Sequence, residues 1–393
     1  MTTLDTRSTT LVGADWASAR TVAHGCLPPL AAEHVSVGHA HRRVLASDLV
    51  AATALPAFTS SAMDGWAVSG PGPWTVTGTL LAGGSAGPLA PGEAVVIATG
   101  AQAPGGATAV LRSEDGVVVD GRLEGHVRDG DHLRLAGEEA HRGELMAPAG
   151  VVLTAGHLGL AAAAGYDVVP VVRRPTVAVL VLGDELLDHG VSARGRVRDS
   201  LGPQLPAWLD LLGCSIRSVA RVPDSLAALV EALISVGDVD LVVTTGGTAA
   251  GPVDLLHRAI EALAGRLVVD SVAVRPGHPM LLARLAHRVA LLGLPGNPQA
   301  AVAALLTLGA PLVDALLGRP LAVLDQVRSR EALAAPGRAT RLVLARRGDA
   351  GAIAVAHQGS AMLRGLAEAD GYLVVPTGGC AADDRLAWLP LPR

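Results

Sequence analysis

Two acids stand where apolar runs end. Asp254 closes the stretch TTGGTAAGPVD, residues 244–254, which follows Leu241, Val242 and Val243 and leads into an amphipathic segment. Glu185 sits in Gly183-Asp184-Glu185, directly after TVAVLVL. A strand-to-helix turn containing Gly246, Gly247 and Gly251 lets backbone N–H groups converge, and the helix dipole adds partial positive charge, so the turn suits a phosphate. The usual nucleotide loops do not fit. Gly251 is followed by Pro252 and Val253 rather than Lys-Ser/Thr, and no G-x-G-x-x-G occurs in this turn. An acid in a first helical turn stabilises the dipole by about 0.3–1 kcal/mol, which alone would account for Asp254. A carboxylate holding a divalent cation beside bound phosphate is the sharper alternative. The turn by itself does not choose between them.

Other groups share this chemistry. Asp199 and Ser200 precede a helix-compatible stretch and resemble an N-cap pair. In GLPGNP, residues 293–298, Pro295 and Pro298 stiffen a turn where Gly296 allows close backbone approach, and Asn297 either caps a helix or reads the edge of a base. VRPGHP, residues 274–279, carries Arg275 and His278 on a stiff loop. SSAMDGWAV, residues 60–68, places Asp64 in a turn, and ATGAQAP, residues 98–104, places Thr99 in another. HQGS, residues 357–360, gathers His357, Gln358 and Ser360, with a satisfied structural histidine as the plain reading. No Ser-His-Asp order or Cys-His pair supports nucleophilic catalysis.

The elements that must position these groups follow from periodicity. The 393 residues suggest roughly two to four domains. Residues 1–45 read as mostly helical, and short β-type runs with Gly and Pro between them fill about 50–145, as in a small barrel or sandwich. From 175 to 320, strand and helix alternate: TVAVLVLG, a helix at 200–212, SIRSVAR, PDSLAALVEALISVG, VDLVVTT and VDLLHRAIEALAG. In that last helix Leu255, Leu256, Ala259, Ile260 and Leu263 face inward and Gly265 forms the C-cap. This order predicts a doubly wound, mostly parallel sheet that binds ligands at the carboxyl ends of its strands. Residues 322–393 return to short β runs. Half the chain is apolar, 2% aromatic and 17% charged, with a net charge of -5 and no lysine, so nucleic acid and anionic lipid are not expected partners. The apolar tract from Gln299 to Gly318 is interrupted by Pro311 and Asp314 and reads as a buried helix rather than a membrane span. Three scattered cysteines and a polar start fit a cytoplasmic protein.

Taken in order, five stretches resemble the molybdopterin molybdenumtransferase family, the bacterial MoeA type and the gephyrin E domain. They are SSAMDGWAV, TGAQAPGGATAV, TTGGTAAGPVD, GLPGNP and HQGS. The resemblance implies four parts: a discontinuous N-terminal mixed domain (1–48 with 146–172), a β-barrel-like domain (49–145), an α/β molybdopterin-binding domain (173–320) and a C-terminal β domain (321–393). It implies a homodimer, contacts with other proteins of molybdenum cofactor biosynthesis, and insertion of molybdate, as substrate, into adenylylated molybdopterin with release of AMP and help from Mg²⁺. By motif position, Asp64, Glu185 and Asp254 would be catalytic, and Glu185 and Asp254 would hold the metal. Thr99, Arg134, Asp199, Ser200, Gly246, Gly247, Gly251, Arg275, His278, Pro295, Gly296, Asn297 and Ser360 would bind substrate.

Departures from the family pattern concentrate among cations and polar donors. The family's Arg-x-Arg-Gly-Glu-Asp is here Arg134-Leu135-Ala136-Gly137-Glu138-Glu139, Leu182 replaces a threonine and Leu201 an asparagine. Ala249 and Leu255 replace a serine and a tyrosine, Arg275 stands at a lysine, and His278 replaces the second lysine of Lys-Pro-Gly-Lys-Pro. Imidazole loses its charge near neutral pH, so that exchange weakens dianion capture. These losses leave a second reading open, a weakly catalytic molybdopterin carrier or scaffold. The survival of Asp64, Glu185, Asp199 and Asp254 favours the transferase.

Overall fold

The structure is a computed structural model that describes residues 10–248, 255–285, 289–335 and 337–393. Two compact units divide the chain, one made of residues 1–33 with 172–393 and the other of 34–171.

In the first unit a seven-stranded sheet is built from β1 (Leu11–Ala14), β2 (Thr176–Leu182), β3 (Ser215–Val222), β4 (Leu241–Thr245), β5 (Arg266–Val272), β6 (Leu281–Arg284) and β7 (Ala290–Leu294). The spatial order is β1-β5-β6-β7-β4-β2-β3, and only β6 pairs antiparallel with its neighbours. Every residue of β4 and β7 is buried, as a sheet covered on both faces requires. Ala178, Leu180 and Leu182 of β2 pack in one cluster with α3 (Leu226–Ser235) and α4 (Leu255–Ala262). The equally buried Val177, Val179 and Val181 therefore face the opposite layer, because side chains alternate along a strand. On that side lie α1 (Trp16–His24), α2 (Leu201–Leu212), α5 (Pro298–Ala304) and α6 (Ala310–Leu316).

The stretch from Pro298 to Leu316 is one continuous helix with a π turn at Leu305–Gly309, long and apolar enough to cross a membrane, but 89% of it is buried inside the unit. It is a core helix, as its sequence indicates. Two local expectations are corrected. Residues 1–45 are not mostly helical: of those described, only Trp16–His24 is α-helix with a short 3-10 turn at Val37–His39, while Ala32–Ser36 is a strand and Leu11–Ala14 an edge strand, whose backbone gains a ladder with β5, Leu11 opposite Val269. At the end of α4 the left-handed residue is Ala264, at φ 51°, and not Gly265. Gly265 is needed for space, because a Cβ there would meet Leu285 Cδ2 at 2.9 Å and Ile260 O at 3.0 Å.

The same unit carries a second sheet, in which Thr340–Gly348 pairs with Val274–Arg275, Gly351–Ala354 and Gly371–Val375, and the sheet continues through Arg385–Pro390 to Gln326–Arg328. Its core is Val327, Val343, Leu373, Val375, Leu386 and Trp388.

In the other unit, six strands run in the spatial order 109–112, 65–68, 93–97, 74–80, 122–125 and 116–119. Neighbours along these strands feed opposite clusters: Ala67, Val95 and Val110 one, Val68, Ala94 and Ala109 the other. Both faces are thus apolar, and the sheet curls to cover them as a half-barrel. A further core joins Leu45 and Leu49 to Ala147, Leu153 and Val169 beside the helix Ala155–Ala163.

Candidate functional site

The carboxyl ends of β2, β4 and β7 lie side by side, with Val181 opposite Thr245 and Thr245 opposite Leu294. The turns that follow them form a cleft of about 640 Å³. It is lined by Gly183, Glu185, Asp199, Ser200, Asp224, Gly246, Gly247, Gly296 and Asn297, with Ala361 and Leu363 from the tail. Gly246 and Gly247 sit at φ 80° and 68°, two consecutive left-handed residues that glycine adopts without strain. The Gly246 N–H is spent on Leu294 O at 2.8 Å, so any amide contribution to an anion begins at Gly247. Gly251 and Asp254 lie outside the described residues.

Glu185 is carried on a loop pinned by arginines. Arg221 donates to Gly183 O at 2.6 Å and Leu186 O at 3.0 Å, and Arg196 to Asp184 O at 2.9 Å. The Asp224 carboxylate accepts from Asp184 N–H at 3.1 Å, and the Asp184 carboxylate accepts from Asp224 N–H at 3.3 Å. Glu185 is exposed, and among the described residues nothing engages its carboxylate. Asp199 Oδ1 accepts from Leu201 N at 2.9 Å and Gly202 N at 3.0 Å, so it caps α2, whereas Ser200 makes no side-chain cap. The expected cap pair is thus a single residue. No group of three or more His, Cys, Asp or Glu that could hold a metal occurs among the described residues.

A second cavity of about 620 Å³ adjoins the cleft, and Asn297 lines both. Its wall contains Arg275, His278, Pro295, Arg341, Gln358 and Ser360, and no acid among the described residues. Arg275 lies directly opposite Arg341 in the parallel pair that joins Val274–Arg275 to Thr340–Gly348. Arg341 donates to Ala334 O at 2.8 Å. His278 Nδ1 is 2.6 Å from Val272 O; a carbonyl only accepts, so Nδ1 carries the proton and Nε2 is the atom left for a ligand. Asn297 does not cap α5 with its side chain; its Nδ2 donates to Ser360 Oγ at 3.3 Å. His357 is not the satisfied histidine expected, since its Nδ1 is buried without a partner among the described residues and its backbone is left-handed at φ 63°.

Asp64, Thr99 and Arg134 belong to the other unit. There Thr99 N donates to Asp64 Oδ1 at 2.7 Å, and Arg134 lies opposite Ser60 in a short antiparallel pair. Sequence reasoning missed Arg341 and Asp224. Arg341 opens an apolar β run, TRLVLARR, and nothing in that run marks it as a ligand group.

Three family descriptions match the chain in succession: the MoeA N-terminal region (domain I and II) over residues 15–165, a probable molybdopterin binding domain over 178–315, and the MoeA C-terminal region (domain IV) over 326–383. The molybdopterin molybdenumtransferase of Bacillus subtilis is 30% identical over 374 residues, 88% of this chain and 86% of that one. This chain belongs to the molybdopterin molybdenumtransferase family. The Synechococcus elongatus member is 33% identical over 290 residues, 69% of this chain and 72% of its own. A MoeA protein of Pyrococcus horikoshii superposes with a TM-score of 0.81 at 25% identity, covering 96% of this chain and 99% of the other. The protein is accordingly a transferase of molybdenum cofactor biosynthesis with the MoeA-like fold: a mixed, mostly parallel sheet, a curled half-barrel and a C-terminal β domain.

Proposed function

We propose that the cleft and its neighbouring cavity divide two substrates between them, adenylylated molybdopterin in the cleft and molybdate in the cavity, with AMP leaving as the metal is inserted. The observation that carries this reading is Arg275 lying opposite Arg341 in a wall without an acid among the described residues. Like charges placed side by side on adjacent strands repel, and the arrangement is relieved when an anion sits between them. Ser360 and His278 border the same space. The cleft's polar lining, from Gly247, Ser200 and Asn297, suits a phosphate and a heterocycle edge.

Mg²⁺ fits the residues present. It takes oxygen ligands, keeps waters and is commonly held by one or two carboxylates together with substrate phosphates. The exposed Glu185 carboxylate, which nothing among the described residues engages, is such a donor. Glu185 would hold the ion together with Asp254, the latter assigned on its motif alone. When bound, Mg²⁺ neutralises charge on the phosphoanhydride and on the departing AMP. Asp199 holds the wall of the cleft by capping α2, and Asn297 stands where both substrates would meet. Asp64, Thr99 and Arg134 are proposed substrate residues on the motif match. The four-part division, a homodimer and a cytoplasmic site of action belong to the same reading; Cys26, Cys214 and Cys380 are all free thiols, as a reducing compartment favours.

The test supplies purified protein with adenylylated molybdopterin, molybdate and Mg²⁺ and measures AMP. Arg341→Met should raise the molybdate KM by about tenfold or more, the loss of one charge-assisted contact. Glu185→Gln should lower turnover and raise the Mg²⁺ requirement. Absence of AMP release with and without molybdate would overturn the proposal.

A further inference from the structure

Gln299, the second residue of α5, is completely buried. A buried primary amide is costly unless its donors are met. Its NH₂ group, oriented toward the acceptors around it, donates to Gln358 O at 3.0 Å and to Gly359 O. The backbone N–H groups of Gln299 and Ala300 both donate to Ser360 O, at 2.9 and 3.2 Å. Three successive carbonyls of the HQGS loop are thus gripped by one turn of helix. The loop is anchored on its other side by Gln358, whose side chain accepts from Leu344 N at 3.0 Å and donates to Leu344 O and Val355 O, each at 2.7 Å.

Without this grip the loop has little reason to hold its shape. It carries no helix or strand of its own between 355 and 363, and His357 occupies a left-handed conformation that costs a non-glycine residue energy. What the grip fixes is the position of the Ser360 hydroxyl, which lines the cavity beside Arg341 and receives the Asn297 amide.

We propose that Gln299 is a positioning residue for oxyanion capture, acting through Ser360 and making the tail domain part of the binding cavity. The inference rests on the reading of that cavity as the molybdate site. Gln299 touches no substrate. Its removal should loosen the place of Ser360 without altering the glycine turn or Glu185.

The experiment compares Gln299→Met, of similar length and without donors, with Gln299→Asn, which keeps an amide too short to reach both carbonyls. Steady-state AMP release is measured against molybdate and against adenylylated molybdopterin, and molybdate binding is followed by calorimetry. Each variant should raise the molybdate KM and Kd by about tenfold, what the loss of two neutral hydrogen bonds predicts. Turnover at saturating molybdate and the KM for the pterin should stay within about twofold. Added to Ser360→Ala, Gln299→Met should cost less than about twofold more, since residues acting through one another are non-additive. Leu233→Ala, in the cluster with α3 on the far face of the sheet, calibrates plain destabilisation and should leave the molybdate KM unchanged. A molybdate KM at the native value in either folded Gln299 variant, or full additivity with Ser360→Ala, overturns the inference while leaving the cavity assignment standing. If Arg341→Met and Ser360→Ala also bind molybdate normally, the cavity assignment itself falls and takes this inference with it.

Discussion

Asp199 offers a test in which helix stability and site chemistry separate. Its Oδ1 accepts two N–H groups of α2, from Leu201 and Gly202, and its own N–H donates to Leu187 O at 3.0 Å. Asparagine retains an oxygen that can accept both bonds; alanine retains none. Losing a capping side chain costs about 1 kcal/mol, within a range of roughly 0.5–2. Losing only the negative charge near a helix N-terminus costs about 0.3–1 kcal/mol. In a domain of this size 1 kcal/mol lowers the melting temperature by about 2–4 °C. Asp199→Ala should therefore melt about 1–8 °C below the native protein and Asp199→Asn no more than about 4 °C below it. Calorimetry gives the melting temperatures, and AMP release on the same samples gives activity. Because the main work of this carboxylate is to hold the wall of the cleft, Asp199→Asn should keep activity within about threefold, while Asp199→Ala should bind adenylylated molybdopterin less tightly. A fully stable Asp199→Asn that has lost activity by about a hundredfold would sink this reasoning, since about 2.7 kcal/mol exceeds the roughly 2 kcal/mol that even a partly buried dipole interaction supplies.

Three further outcomes follow from side chains elsewhere. Tyr372 is wholly buried, its hydroxyl has no partner among the described residues and burial pushes its phenol well above the ordinary range, so Tyr372→Phe should be neutral or stabilising by up to about 1 kcal/mol, read as an unchanged or higher urea midpoint. His278→Lys, which places a permanent cation in a wall that has no acid among the described residues, should bind molybdate more tightly than the native protein at pH 8, and His278→Gln should not; equal affinities for all three at that pH would remove His278 from the site. Burial pushes the thiols of Cys26 and Cys214 up to about 11 and about 12, so a thiolate-specific reagent at pH 8 should label the half-exposed Cys380 alone in the folded protein, and labelling of all three would contradict the packing around the other two.

The sequence alone determined whatever depends on neighbours along the chain. Period 3.6 marked α3 and α4, unbroken apolar runs marked β2, β4 and β7, and glycine pairs marked the turns, because side-chain periodicity and backbone sterics act over a few residues. The ordered motifs then pointed to the family, and with it to the cleft at the strands' carboxyl ends. Tertiary structure decided every contact that joins distant segments. Residues 11–14 became an edge strand only because β5 offered a free ladder some 250 positions later. Arg275 acquired its meaning from Arg341, and Gln299 acquired its meaning from a loop about 60 residues away. Even Asp199 and Ser200, adjacent and equally suited by type, were told apart only by where the first turn of α2 pointed its N–H groups. Propensity is a property of a short window, whereas register between strands and the satisfaction of buried amides are properties of the assembled fold, and the groups proposed to capture the oxyanion belong to the second kind.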